Sequence, residues 1–236
     1  MNILKKMIGV GMALFVAGCI TSIHPFYIEK DLTFDSSLIG IWIMVDPETG
    51  KKEEDISWTF KKGEGNSYEL TVEEKNYVFR EICNLGSIIG DIISKSISKV
   101  TGKQGQDDLK LESKDEKSEP GEPATFEAHL VNLKGSLFLD ISTKDWGVKN
   151  TFYVMHMMPV HTFWRISIKK DELRMEMLNP EWLKKMVDQK KINMGYVQKD
   201  DTIILTAPTE ELQKFLLKYD KEAEVFIPSI VLHRKK

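Results

Sequence analysis

Two cysteines in 236 residues leave no room for a disulfide framework. No stretch of about 20 consecutive apolar residues occurs, so no segment reads as a transmembrane helix. Charge of one sign is not in excess either. Thirty-three Lys and Arg face 36 Asp and Glu, a net charge of −3 at pH 7, which argues against nucleic-acid binding. The chain also lacks a G-x-S-x-G elbow, a phosphate-binding Walker loop, an H-E-x-x-H pair and a G-x-G-x-x-G turn. Acidic pairs such as Glu53-Glu54 and Glu73-Glu74 fall in charged turns and strand ends, where solvent exposure explains them. The chain therefore reads as a non-enzyme that needs no cofactor.

What is present begins at the N-terminus. Lys5 and Lys6 precede the apolar run Met7–Val16, the layout of a secretory signal peptide. The run closes on Val16-Ala17-Gly18-Cys19, which resembles the lipobox of bacterial lipoproteins at all four positions. The resemblance implies that residues 1–18 are removed, that Cys19 receives a diacylglyceryl group, and that the mature chain is held to a membrane of the cell envelope. Two or more acyl chains suffice for stable anchoring at about 0.8 kcal/mol per buried methylene. In Gram-negative lipoproteins an aspartate after the cysteine typically retains the protein at the inner membrane. Ile20 stands there instead, which favours the periplasmic face of the outer membrane. With Cys19 occupied by lipid, Cys83 has no partner and reads as a buried small hydrophobe.

Residues 19–38 show little periodicity and read as a lipidated tether leading into a domain over residues 39–236. In that domain apolar residues alternate with polar ones. Ile56, Trp58 and Phe60 form one set and Tyr68, Leu70 and Val72 another, with Gly63 and Gly65 between them, which predicts an antiparallel hairpin. The pattern resumes at Phe126, Ala128 and Leu130, at Leu137–Ile141, at Val160–Ile168 and at Leu173–Met177, then near 193–198 and 202–206. Nine or ten strands predict an antiparallel barrel or sandwich.

Asn179-Pro180-Glu181 opens a helix as cap, N1 proline and first-turn acid, with Trp182 and Met186 on its apolar stripe. A second helix begins at Thr209, read as its cap, with Leu212, Phe215, Leu216 and Tyr219 along one side. Residues 80–123 interrupt the strand rhythm as an insertion. Its first half carries isoleucines at helical spacing and its second half, TGKQGQDDLKLESKDEKSEPGEP, has almost nothing to bury and is expected to be flexible.

Leu38-Ile39-Gly40-Ile41-Trp42 resembles the G-x-W opening of lipocalin-like barrels. The order of elements supports it, since a strand-rich body is followed by a helix from Thr209 and a terminal strand around Val225 to Leu232. The resemblance implies a lipocalin-like antiparallel β-barrel with two or three accessory helices, and an arginine packed over Trp42, for which Arg234 and Arg165 are the candidates. The first stretch of the mature chain, HPFYIEKD, and the LIGIW segment also resemble uncharacterised bacterial envelope lipoproteins, a likeness that carries location and no activity.

Two functions follow from this fold. In one, a barrel interior lined by Trp42, Trp58, Phe60, Phe126 and Trp164 binds an apolar small molecule or lipid. In the other, those same aromatics fill the barrel and the domain acts as a protein-interaction or envelope-assembly module. Other chemistry is thinly represented. His156, Met157, Met158 and His161 have a copper-like composition, but Pro159 breaks the run and alternation separates the side chains, so no metal site is expected. His161 shares a strand face with Phe163 and Arg165, and His129 lies beside Glu127 as a solvated pair.

Overall fold

Alternation of small, apolar and polar residues is translated directly into strands in the computed structural model, which describes residues 20–46, 49–74, 122–144, 151–199 and 202–236. Cys19, Cys83 and the insertion lie outside the described residues. In chain order the strands are β1 Thr21–Ser22, β2 Leu32–Thr33, β3 Gly40–Val45, β4 Lys52–Lys62, β5 Ser67–Glu74, β6 Ala124–Leu133, β7 Ser136–Thr143, β8 His161–Lys169 and β9 Glu172–Leu178. Helix α1 Pro180–Asp188 follows, then β10 Tyr196–Lys199, β11 Thr202–Leu205, helix α2 Thr209–Tyr219 and β12 Phe226–Arg234.

Eight of these strands close a barrel. Strands β3 to β9 pair each with the next, all antiparallel, and β12 enters between β9 and β3 to complete the circuit. The expected lipocalin-like antiparallel barrel is thus observed. Its register follows the predicted hairpin, with Phe60 opposite Leu70 and Trp58 opposite Val72. Tight turns at one end join β4 to β5, β6 to β7 and β8 to β9. Lys134 and Gly135 at φ 51° and 92°, and Lys170 at 52°, supply the left-handed backbone that such hairpins require. The strand ends that the longer connections join lie at the opposite end.

Both predicted helices form, and they pack outside the wall. Asn179 caps α1, its side chain accepting from the Glu181 and Trp182 amides, and Trp182, Leu183, Met186 and Val187 are buried. Leu212, Phe215 and Leu216 of α2 are buried too. Thr209 is not the cap that its sequence position suggested. Pro208 holds that position, and the Thr209 hydroxyl donates to the Pro25 carbonyl at 2.7 Å.

The expected tether is a second departure. Residues 20–38 belong to the folded domain, with Ile20 7% exposed and Phe26 and Leu38 fully buried. Strand β1 lies between β8 and β11, pairing Ser22 with His161 on one side and with Leu205, in parallel, on the other. Strand β2 adds to β6. The segment lacks period because its apolar residues plug separate gaps instead of lining one face.

Two apolar cores result. The inner one fills the barrel. The outer one lies between the wall, the N-terminal segment and the two helices, and is built on Phe26, Phe138, Phe163, Leu183, Leu205 and Leu216 among others.

Candidate functional site: the barrel interior and a polar cluster on its wall

All five residues proposed to line the interior come together there. Trp42, Trp58, Phe60 and Trp164 belong to the inner core, and Phe126 packs against it half-buried. At the tight-turn end, the Trp42 indole donates to the Leu38 carbonyl at 2.8 Å. The Arg234 guanidinium stands 4.3 Å from the Trp42 ring and donates to the carbonyls of Ile39, at 2.7 Å, and Ser37. Gly40 is required twice over at this plug. Its φ is +135°, and a Cβ there would lie 2.6 Å from Arg234 Nη1. Of the two candidate arginines Arg234 covers the tryptophan. Arg165 faces outward, over the Phe226 ring at 4.5 Å and bonded to Glu176 at 2.5 Å.

Space inside is scarce. Tyr68, Leu70, Leu130, Leu139, Leu173 and Met175 are fully buried around Trp42 and Phe60. Toward the long-loop end a cavity of about 10 Å³, bounded by Ile20, Thr162, Phe163, Trp164, Met177 and Leu178, is at the lower limit for one water molecule.

Chemistry lies instead on the outer wall. Asp140 of β7 is completely buried there, although it is charged and sits in the otherwise apolar run Leu137–Ile141. One carboxylate oxygen accepts the Phe26 amide at 2.7 Å and the other meets His161 Nδ1 at 2.7 Å. These bonds compensate the burial, since an unpaired carboxylate in such a place costs several kcal/mol. Opposite Asp140 on β6 stands His129, covered by the Tyr27 ring at a centroid distance of 4.3 Å. Burial pushes the Tyr27 phenol up to about 12, with the charges of Asp140 and Glu127 adding to it. Burial holds His129 below the usual histidine range, against the pull of Glu127 and Asp140. Its Nδ1 is buried and has no hydrogen-bond partner among the described residues.

The expectation of a solvated His129–Glu127 pair is therefore corrected: Tyr27 covers the histidine, and residues 20–33 exclude water from a strand face that alternation alone reads as exposed. His156 and His161 do not converge. His156 is exposed and bonded to the Phe152 carbonyl, while His161 is committed to Asp140. Among the described residues no group of three His, Cys, Asp or Glu side chains is arranged to hold a metal ion. No nucleophile among them hydrogen-bonds to His161.

A second polar knot ties α2 to the wall. Ser136 donates to Asp220 at 2.7 Å, and Arg165 lies 3.5 Å from the same carboxylate. Burial pushes the Asp220 carboxyl up, but the hydrogen bonds from Lys221 and Ser136 and the Arg165 charge outweigh it and leave its pKa lowered.

The chain matches no family model, no curated protein and no solved structure. The aromatics named from sequence pack together in the inner core, and the residues that sequence reasoning passed over are Asp140 and Tyr27. One signal pointed to the first, a single carboxylate in a five-residue run that is otherwise apolar.

Proposed function

We propose that this protein is a lipid-anchored lipoprotein of the bacterial cell envelope whose barrel is a filled scaffold, and that it works through its outer surfaces as a non-catalytic interaction or assembly module. The observation that carries this reading is the inner core. Trp42, Phe60, Tyr68, Leu70, Leu130, Leu139, Leu173 and Met175 are each at most 1% exposed, which supports a packed interior among the described residues over a chamber of the few hundred Å³ that small-molecule sites occupy. The lipobox motif at Val16–Cys19 supports the anchor. The two bonds of Asp140, one accepted from the Phe26 amide and one shared with His161, support a role for that carboxylate in holding the N-terminal segment to the wall.

The test is intact and native mass spectrometry of protein purified from its own envelope. A mature mass beginning at Cys19 with acyl groups, and no further adduct, is expected. A stoichiometric apolar adduct released by organic extraction would overturn the filled-barrel reading in favour of a carrier. Replacement Cys19→Ala should move the protein to the soluble fraction or leave an uncleaved precursor, and a mature acylated form persisting in that variant would sink the anchor.

A further inference from the structure

The N-terminal segment runs as a strap across the outside of the barrel. Its ends are pinned by two short strands that extend the wall where β9 and β5 stop short. Strand β1 pairs Ser22 with His161, ahead of the stretch of β8 that β9 covers, and β2 pairs Leu32 and Thr33 with Val131 and Leu130, just past the last residue of β6 that β5 reaches. Between these pins the strap crosses β8, β7 and β6. Phe26 bolts it down. That residue is fully buried, its ring lies 4.9 Å from Phe163 and 5.0 Å from Phe138, and its amide donates to Asp140 at 2.7 Å. The next residue is held differently. Tyr27 is half-buried and lies over the His129 ring at 4.3 Å, tilted by 31°.

His129 is 8% exposed, and its Nδ1 is buried with no hydrogen-bond partner among the described residues. A neutral imidazole can leave a lone pair there, whereas an imidazolium carries an N–H on both nitrogens. The charged groups that face the ring are Glu127 on its own strand, Asp140 on β7 and His161 on β8. Tyr27 lies above it, and Ser67 stands opposite on β5 without charge. Gln213 of α2, also uncharged, holds the strap on either side of Tyr27, at the Phe26 carbonyl and the Asp31 carboxylate. Burial opposes a proton on His129 most strongly, Glu127 and Asp140 attract it, and the charge of His161 opposes it. Both oxygens of Asp140 are already engaged, by the Phe26 amide and by His161. With Tyr27 in place a proton on Nδ1 has no acceptor. With Tyr27 swung away, water supplies one and solvates the charge.

We propose that Tyr27 and His129 form an acid-sensitive latch on this strap. At neutral pH the ring pair is closed. On acidification His129 gains a proton, Tyr27 lifts off, and the stretch Tyr27–Thr33 loosens from β6 while Phe26 and the barrel stay in place. The outer face of β6 around Glu127 and His129 then opens to solvent. The latch depends on the folded domain alone, and neither the lipid anchor nor the filled interior enters it.

The test is amide hydrogen exchange of the full chain at roughly pH 7 and pH 5, corrected for the intrinsic pH dependence of exchange, with residues 27–33 compared with β4 and β5. Expected at the lower pH is a loss of protection of about fivefold or more over 27–33 and less than about twofold in β4 and β5, since each pH unit below the histidine titration raises the open population by up to about tenfold. In His129→Phe, which keeps an aromatic ring under Tyr27 and takes no proton, the loss should disappear. In Tyr27→Ala, protection over 27–33 should already be low at neutral pH and fall no further in acid. Equal protection of 27–33 at both pH values in the unaltered chain overturns the latch. A parallel loss in β4 and β5 overturns it in favour of global acid unfolding. An acid-induced loss that persists in either variant assigns the response to another group and overturns it as well.

Discussion

The inner and outer cores are about equally apolar at their centres but differ in what they contain besides. Inside the barrel the buried residues are aromatic and aliphatic, and the polar atoms of Trp42 and Tyr68 are satisfied at the edges by Leu38 and Asp35. Outside, Asp140, His129, Ser22 and Asp220 are buried among phenylalanines and leucines. The inner core joins neighbouring hairpins, whereas the outer one joins distant segments. Apolar contacts are non-directional, so hairpin geometry alone can place them. A segment whose strands are only two residues long needs further directional bonds to fix where it docks, and the Asp140 carboxylate accepts one from the Phe26 amide across 114 residues.

The largest way to break this contrast is Trp42→Ala. Removing a fully buried indole from the inner core should cost about 3–5 kcal/mol, read as a fall in the urea midpoint with unchanged slope. Asp140→Ala should come next at about 3 kcal/mol, since it strands the Phe26 amide and His161 together, while Asp140→Asn keeps an acceptor and should cost less. The distinguishing readout is hydrogen exchange. In Asp140→Ala the Phe26 amide should lose protection before the β4–β5 ladder does, and simultaneous loss would show that the two cores unfold as one.

Acid should act on the outer core first. His129 is held neutral by burial while Glu127, Asp140, His161 and Tyr27 face it, and its pKa lies lower in the folded than in the unfolded chain. The unfolded state therefore binds its proton first. Stability is full above the unfolded histidine value of about 6.5 and declines as pH falls from there toward the folded pKa. Melting temperature should drop between roughly pH 7 and 5, and His129→Phe should flatten that part of the curve. At the alkaline end Tyr27 acts oppositely. Its contribution is intact below about 10 and is lost as pH rises toward about 12, and Tyr27→Phe should remove that loss. The smallest effect belongs to Arg234→Gln. Losing the stacked guanidinium over Trp42 and its two carbonyl contacts should cost about 1–2 kcal/mol at the partly exposed plug.

These differences also explain what was legible in the chain. The barrel was readable because Trp58 and Phe60, Leu70 and Val72, Trp164 and Ile166 alternate at period two and each pairs with a strand next in sequence. Gly40 and Trp42 were readable by resemblance, and register then chose Arg234 over Arg165. Residues 20–38 were misread because Ile20, Phe26 and Leu38 are too far apart to show a period, and their partners lie elsewhere in the chain. His129 was misread for the same reason, as alternation reports which face a residue takes and not what later covers that face. Thr209 has the right chemistry for a cap, yet its hydroxyl is spent on Pro25, a tertiary contact that outweighs the local rule.

The sandwiching of β1 between β8 and β11 has a kinetic consequence. Pro25 and Phe26 receive their bonds from Thr209 and Gln213, 184 and 187 residues later. Chains are made N-terminus first, at about 5–20 residues per second, so the opening segment waits roughly 10–40 s for the last of the residues that hold it. Asp140, 114 residues after Phe26, and His161, which pairs with Ser22, arrive earlier, but β11 and α2 close over the segment only at the end. The first part of the domain to appear is thus among the last to be fully fastened, and a high-contact-order closure of this kind slows the formation of the finished domain.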